Sequence, residues 1–342
     1  MKIARFDTQE RVLIVAEIGN NHEGSRTQAE RMIDLAASAG ADAVKFQTII
    51  PERLVSSLQA ERIRQLSRFA LSQADFEYLA QVADQRGVLF LSTPFDLDSA
   101  RFLNDLVPAF KVASGDNTFF PLLDLLAGFG KPLLVSTGLC DLSRLTGIRD
   151  FITQAWQKRR MTPLQQGADL AFLHCVTSYP TPPEEASLLA IRDLATLGVT
   201  PGYSDHTLGI DAAVLSVALG ARIIEKHFTL DKHFSDFRDH QLSADPQELA
   251  QLVERVRLAE KMLGHGKTVQ PCEQALAITA RRSIVAARDL SAGLTLTWAD
   301  LDWTRPGGGL APGDEALLLG QVLQQAKRAG EMILRDDLTE AG

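Results

Sequence analysis

Between residues 13 and 228 the chain repeats one pattern: a short apolar run, then a stretch with helical spacing. The runs cover 13–19, 43–48, 88–94, 109–114, 132–138, 170–176, 200–204 and 221–228. They are too short for core helices, and most are apolar on successive residues, as strands buried on both faces are. Helical spacing fills 27–39, 75–86, 119–128, 144–159, 184–196 and 209–219, with a further helix after Pro94. In the first of these Ala29, Met32, Ile33, Ala36 and Ala37 are apolar and Gly40 stops the helix. Residues 51–72 read as a polar segment without periodicity. Regular alternation of strand and helix makes a parallel sheet covered by helices. Eight such units in about 250 residues predict a (β/α)8 barrel. The competing architecture is an open doubly wound sheet. It would carry a glycine-rich dinucleotide fingerprint after the first strand, and Gly19 and Gly24 lack that spacing.

Pro246–Leu263 is a strongly amphipathic helix with Leu249, Leu252, Val253, Val256, Leu258 and Met262 on or near one side. Gly264 and Gly266 end it. From Arg281 glycines and prolines become dense around short runs at 283–287, 293–297 and 301–306. We therefore expect a barrel over 1–263, a linker over 264–280 and a small β-rich domain over 281–342.

Charge excludes some functions. The formal net charge is −8 with no basic run, which argues against nucleic-acid binding, and any anionic substrate must be held by local positive charge. Cys140, Cys175 and Cys272 have no paired spacing, as expected in a reducing cytoplasm. The first residues lack the apolar core of a signal peptide, and no run reaches the roughly 20 apolar residues that span a bilayer. A cytoplasmic protein without membrane contact is the expectation.

In a barrel of this kind the active site lies at the C-terminal ends of the strands. There the sequence places Lys45, Lys111, Ser114, Ser136 and Ser204, followed by Glu17, Gln47, Thr93, Thr137, Thr177, Tyr179 and Glu225. One lysine at a strand end ordinarily snorkels to solvent. Two beside several hydroxyls suit a phosphate or carboxylate. A lone strand-end histidine is ordinarily a satisfied core or surface residue. His206 and His227 end neighbouring runs beside other polar groups, and two imidazoles can converge on one divalent ion with positions left for water and substrate.

These residues fall in motifs that occur, in the same order, in a known family. They are Ala16-Glu17-Ile18-Gly19-Asn20-Asn21-His22-Glu23-Gly24, Val44-Lys45-Phe46-Gln47-Thr48, Ser92-Thr93-Pro94-Phe95, Lys111-Val112-Ala113-Ser114-Gly115 and Ser136-Thr137-Gly138. Then come Leu173-His174-Cys175, Tyr179-Pro180-Thr181-Pro182, Gly202-Tyr203-Ser204-Asp205-His206 and Glu225-Lys226-His227-Phe228-Thr229. The set resembles the sialic acid synthases, which condense phosphoenolpyruvate with an N-acylated amino sugar. Each motif is weak alone; the ordered set is specific and covers nearly the whole chain. Arg282-Ser283-Ile284-Val285-Ala286 and Arg305-Pro306-Gly307 resemble that family's C-terminal antifreeze-like (SAF) domain.

The resemblance implies roles. Lys45, Lys111, Ser114, Ser136 and Ser204 would cradle phosphoenolpyruvate. His206 and His227 would hold a divalent metal, manganese by preference, with magnesium or cobalt as alternatives. Gln47, Thr177 and Tyr179 would lie near the sugar, and Glu23, Asp116 or Asp239 would move protons. Arg305 would reach the sugar's acyl group from a second subunit, in a domain-swapped homodimer. Three departures concern the acceptor. Asp116 stands where family members often carry Glu, which withdraws the carboxylate by about 1.5 Å. Asp236-Phe237-Arg238-Asp239-His240-Gln241 stands where many carry Gly-Pro-Asp-His, and Thr177 stands where neuraminate synthases often carry Asn.

The expected reaction is attack of phosphoenolpyruvate carbon 3 on the open-chain aldehyde, followed by water addition at carbon 2 and loss of phosphate. N-Acetylmannosamine, giving N-acetylneuraminic acid, is the expected acceptor. A 2,4-diacetamido-2,4,6-trideoxyhexose, giving legionaminic or pseudaminic acid, is the alternative and would want a more apolar pocket, to which Phe237 could contribute. Readings of other kinds are a non-catalytic carbohydrate-binding protein and a barrel aldolase working through a lysine Schiff base. The combined lysine and histidine set weighs against both.

Overall fold

The computed structural model describes residues 1–159, 170–237, 239–264 and 266–339, so Arg238, His265 and 340–342, which the sequence reading includes in its segments, lie outside the described residues. The chain forms two compact units, Met1–Gly264 and His265–Gly342.

The first unit is the expected eight-stranded parallel barrel. Its strands are β1 (Leu13–Gly19), β2 (Ala43–Thr48), β3 (Leu89–Pro94), β4 (Phe110–Val112), β5 (Leu133–Ser136), β6 (Leu170–His174), β7 (Thr200–Asp205) and β8 (Ile223–His227). Parallel ladders join them in the order β3-β2-β1-β8-β7-β6-β5-β4, with β1 paired directly to β8. The ring is closed except at the seam between β3 and β4.

Side-chain alternation along these strands decides what faces where. Leu13, Val15, Ala43, Leu89, Leu91, Leu134, Ala171, Leu173 and Ile223 point inward and pack into one cluster. Ile14, Ala16, Ile18, Val44, Phe46, Phe110, Val112 and Ile224 point outward into the core shared with the helices. Two residues further along, the inward positions turn polar: Glu17 follows Val15, Lys45 follows Ala43, Ser136 follows Leu134 and Glu225 follows Ile223. The barrel interior is thus apolar at one end and charged at the other. Met1 and Ile3 join the interior cluster from a hairpin pairing Lys2–Ile3 with Phe6–Asp7, which is too short to leave a periodic signal in the sequence.

Helices cover the outer face. Helix α1 (Arg26–Ser38) buries Ala29, Met32, Ile33 and Ala36, and the Ser25 hydroxyl accepts from Gln28 N at its start. The helix Pro246–Leu263 begins with Asp245 and Glu248 in a reciprocal capping box and buries Leu249, Leu252 and Val256. The supposed polar segment 51–72 contains two helices, Pro51–Leu54 and Ala60–Ser67. They bury only Pro51 and Leu66, so no apolar stripe announced them. The segment is seated against Gly24, whose φ is +77° and where a Cβ would stand 2.3 Å from the Arg68 carbonyl oxygen. Among the described residues no helix is long and apolar enough to cross a membrane.

In the second unit Ser283–Ala286 pairs antiparallel with Leu301–Thr304, and Val322–Leu323 with Leu338–Thr339. Ile284, Ala286, Leu290, Leu296, Leu301, Leu318, Leu323 and Ile333 form its core. The run at 293–297, expected as a strand, contributes only one bridge, Thr295 to Val322. Residues 271–280 are helical turns rather than extended chain.

Candidate active site

A cavity of about 1040 Å³ opens at the polar end of the barrel. Every residue the sequence nominated for the site lines it except Asp116, Thr137 and Arg305. Asp116 ends a 3-10 turn over Ser114–Asp116 and is half-buried away from the cavity wall. Burial alone pushes its carboxyl up to about 6. Arg305 is exposed in the second unit, one residue past the strand Leu301–Thr304.

Two lysines and two glutamates form the floor, all four buried. Lys45 Nζ lies 2.8 Å from Glu17 Oε2 and 3.7 Å from Glu225 Oε2, and it donates to Thr93 Oγ1 at 3.1 Å. Lys111 Nζ donates to Ser136 Oγ at 2.6 Å and stands 3.8 Å from Glu225 Oε1, which also accepts from Ser204 Oγ at 3.0 Å. Glu17 Oε2 and Glu225 Oε2 have charge partners in Lys45 but no well-aligned donor. The titrations diverge accordingly. Burial opposes the charge on Lys45, yet Glu17 and Glu225 overcome it and raise its pKa. Burial, aided by the charge of Lys45, lowers Lys111. Burial lifts Glu17 to about 7 against the pull of Lys45. Burial would raise Glu225 too, but the two lysines hold it low.

Around this floor Gln47 donates to Glu17 Oε1 at 3.1 Å and accepts from Asn20 at 3.0 Å. Ser114 Oγ accepts from Gly138 N at 3.1 Å. Gly138 is obligatory there, because a Cβ would stand 2.1 Å from Thr177 Oγ1 and 2.7 Å from Ser114 Oγ. Tyr179 packs its ring 4.0 Å from that of His206, and burial together with the anions around it raises its phenol. Ile49, Leu54, Leu66, Phe69, Phe95 and Phe237 also line the cavity, interspersed with Arg62, Gln65, Arg68 and Asp236, and the Phe69 and Phe237 rings lie 5.0 Å apart.

The resemblance implies a divalent ion at His206 and His227, and the donor set can be tested against it. The two rings lie 5.5 Å apart. His227 is buried, its Nδ1 has no partner, and burial with the surrounding cations keeps the ring neutral, as a ligand must be. His206 Nδ1 donates to the Val176 carbonyl at 2.8 Å, which in the neutral ring leaves Nε2 as the available lone pair. Burial opposes a proton on His206, but Cys175, whose Sγ is 3.7 Å away, tips its pKa upward. Among the described residues no group of three or more His, Cys, Asp or Glu is placed to hold a metal. The two imidazoles therefore fit a divalent ion as a pair of neutral-nitrogen donors.

Several participants escaped the sequence reading. Glu17 and Glu225 were placed in the ring without a part; their inward parity after Val15 and Ile223 was the available signal. Cys175 lines the cavity two residues after inward Leu173. Arg62, Gln65, Arg68 and Phe69 reach the cavity from the segment that showed no periodicity, where no local signal existed.

The NeuB family profile matches residues 32–268, and the SAF domain profile matches residues 281–339. The N,N'-diacetyllegionaminic acid synthase of Legionella pneumophila is 38% identical, covering 94% of this chain and 93% of its own. The N-acetylneuraminate-9-phosphate synthase of Mus musculus is 36% identical over 83% of this chain and 80% of its own. Among solved structures, the N-acetylneuraminic acid synthetase of Leptospira borgpetersenii in complex with citrate superposes with a TM-score of 0.74 at 33% identity, covering 81% of this chain and 94% of that one. Barrel, motifs and both profiles agree: the chain belongs to the NeuB family, the sialic acid synthases, and carries the SAF domain at its C-terminal end.

Proposed function

We propose that the chain condenses phosphoenolpyruvate with a 2,4-diacetamido-2,4,6-trideoxyhexose, forming a nine-carbon 2-keto acid and phosphate. The reading of the donor rests on one observation, the buried Lys45–Glu17–Glu225–Lys111 floor. With Glu17 lifted to about 7 and Lys111 lowered by burial, an arriving phosphate or carboxylate favours the protonated form of both. Ser114, Ser136 and Ser204 add hydroxyls at the same level.

The choice of acceptor rests on the wall built by Phe69 and Phe237 with Ile49, Leu54 and Leu66. A sugar lacking the 6-hydroxyl leaves no buried polar group unpaired against it, whereas N-acetylmannosamine would. The similarity to the Legionella enzyme supports the same choice. Within this reading His206 and His227 would hold the divalent ion, manganese before magnesium or cobalt, which when bound would polarise the sugar aldehyde as a Lewis acid. Lys45 and Lys111 bind and orient the donor, Gln47, Thr177 and Tyr179 face the sugar, and Glu23 or Asp239 exchanges protons at the cavity wall. Arg305 would reach the acyl group from a second copy of the chain in a domain-swapped homodimer.

Phosphate release from phosphoenolpyruvate with manganese, measured with N-acetylmannosamine and with both diacetamido-trideoxyhexose isomers, tests the reading. The expected result is release with one diacetamido sugar at a kcat/KM at least about tenfold above N-acetylmannosamine. Equal use of N-acetylmannosamine overturns the acceptor, and silence with every sugar from folded protein overturns the donor as well.

A further inference from the structure

We propose that His240 is a positioning residue for Glu23, holding a hydrogen on the line between its Nε2 and the Glu23 carboxylate; the inference rests on the synthase reading above. Glu23 lies in the turn after β1 with φ of +48°, an uncommon backbone setting for a residue with a side chain, and it lines the cavity. Behind it His240, in the short helix Asp239–Leu242, is 1% exposed. The imidazole spans two partners, with Nδ1 2.6 Å from Thr229 Oγ1 and Nε2 3.2 Å from Glu23 Oε1. The rings of Phe234 and Phe237 stand 5.3 and 5.9 Å from it, so the contact is made in apolar surroundings that strengthen it.

Two hydrogen arrangements satisfy these distances. In one, the Thr229 hydroxyl donates to the Asp231 carbonyl at 3.1 Å and accepts from Nδ1–H. Nε2 then meets Glu23 as an imidazolium N–H, the form that leaves the carboxylate able to act as a base. In the other, Thr229 donates to Nδ1 and Nε2 bears the ring's hydrogen. Both arrangements put a hydrogen between Nε2 and Oε1. The Ser235 hydroxyl donates to the same oxygen and is itself held by Phe237 N at 3.0 Å. Ser235 and His240 therefore both aim the Glu23 carboxylate, and Phe237 beside them lines the cavity. Other titratable groups near the pair are His22, which feels the Glu23 charge, and Asp239, next to His240 in the chain; Asp236 and Arg68 line the same cavity as Glu23.

Aimed by this contact, Glu23 is a base for the water that joins carbon 2 of the donor. The proton it takes balances the one that the aldehyde oxygen acquires on becoming a hydroxyl. The water's second proton leaves with the phosphate as the bond from carbon 2 to the phosphate oxygen breaks and carbon 2 becomes a ketone. No proton is gained or lost by the protein over the cycle.

The test uses His240→Leu, His240→Gln, Glu23→Gln and the His240→Leu/Glu23→Gln pair in the full chain. In His240→Leu the Glu23 carboxylate loses the contact that aims it. We expect kcat to fall about 30-fold while KM for phosphoenolpyruvate stays within about threefold. His240→Gln, which keeps an N–H near the Nε2 position, recovers most of the loss. In the Glu23→Gln background the leucine adds less than about threefold. An unchanged kcat in a folded His240→Leu variant, no rescue by His240→Gln, or losses that multiply in the double variant, overturn the proposal. The hydrogen itself is read without turnover, as an Nε2–H signal of His240 in ¹⁵N–¹H spectra that changes in Glu23→Gln. Its absence from wild-type protein near neutral pH also overturns the proposal. If wild type releases no phosphate while that signal is present, the synthase reading fails and the positioning contact stands.

Discussion

Strands β7 and β8 carry two buried polar faces one residue apart, and the two are treated differently. On the outer face Asp205 and Lys226 pair at 2.9 Å, both fully buried. Asp205 also accepts from the Tyr203 hydroxyl at 3.1 Å and from Thr207 N and Oγ1 at 2.8 Å each, and Lys226 donates to the Thr207 carbonyl. On the inner face Ser204, His206, Glu225 and His227 include two atoms without hydrogen-bond partners, Glu225 Oε2 and His227 Nδ1. The same two strands thus bear a satisfied network outside and an incomplete one inside. A buried polar group without a partner costs stability unless a ligand completes it, which is the reason for proposing the incomplete face as the substrate's. The satisfied face holds the two strand ends, and with them His206 and His227, in register.

Breaking the outer pair has the largest expected effect. Lys226→Met leaves Asp205 buried without its cation and is expected to lower unfolding free energy by about 3–5 kcal/mol, read from denaturant midpoints. A loss below about 1 kcal/mol would mean that the outer face is no more tightly determined than the inner one. On the inner face the ranking reverses. Lys111→Met removes a cation that burial already disfavours, while Glu225 keeps Lys45 and Ser204. Its unfolding midpoint is expected to move less than that of Lys226→Met, while kcat/KM for phosphoenolpyruvate falls about 10²–10³-fold. Stability lost without activity lost would invert the assignment of the two faces.

The smallest effect sharpens the boundary of the site. Asp116 does not line the cavity, and its raised pKa has burial as its cause. A carboxyl whose folded pKa is raised contributes stability that is present below its ordinary 3.8 and is lost as pH rises through about 6. Asp116→Asn should therefore match wild type near pH 4 and become more stable above pH 6. The gain is about 1 kcal/mol after allowance for partial exposure. Thermal unfolding across that range reads it, and kcat should change less than about threefold. A large fall in kcat would return Asp116 to the list of proton-transfer groups.

Much of the fold was legible in the sequence because it rests on local periodicities. Runs of strand length and intervals of helical spacing were enough to predict eight parallel strands, and the polar residues closing those runs marked the working end of the barrel. The ordered motifs from Glu17 to Thr229 led to the family. Position at the strand ends also grouped Lys45, Lys111, Ser136, Ser204, His206 and His227 in one ring. Where periodicity was missing, reading failed: the helices Pro51–Leu54 and Ala60–Ser67 bury too little apolar surface to show a stripe, yet that segment supplies Phe69 and Arg68 to the cavity.

Sequence by itself determined the architecture, the family and the identity of the inner ring, since each depends on the spacing of neighbours along the chain. Tertiary structure alone decided how those groups are balanced. Glu17 gains Lys45 across β1 and β2, and Glu225 lies between Lys45 and Lys111. Glu23 gains His240 from 217 residues away, and Asp116 turns from the cavity despite adjoining the Ser114 motif. The reason is physical: a pKa or a hydrogen-bond partner is set by desolvation and by charges within a few ångströms, and closing the barrel brings together side chains whose separation in sequence carries no trace of their contact.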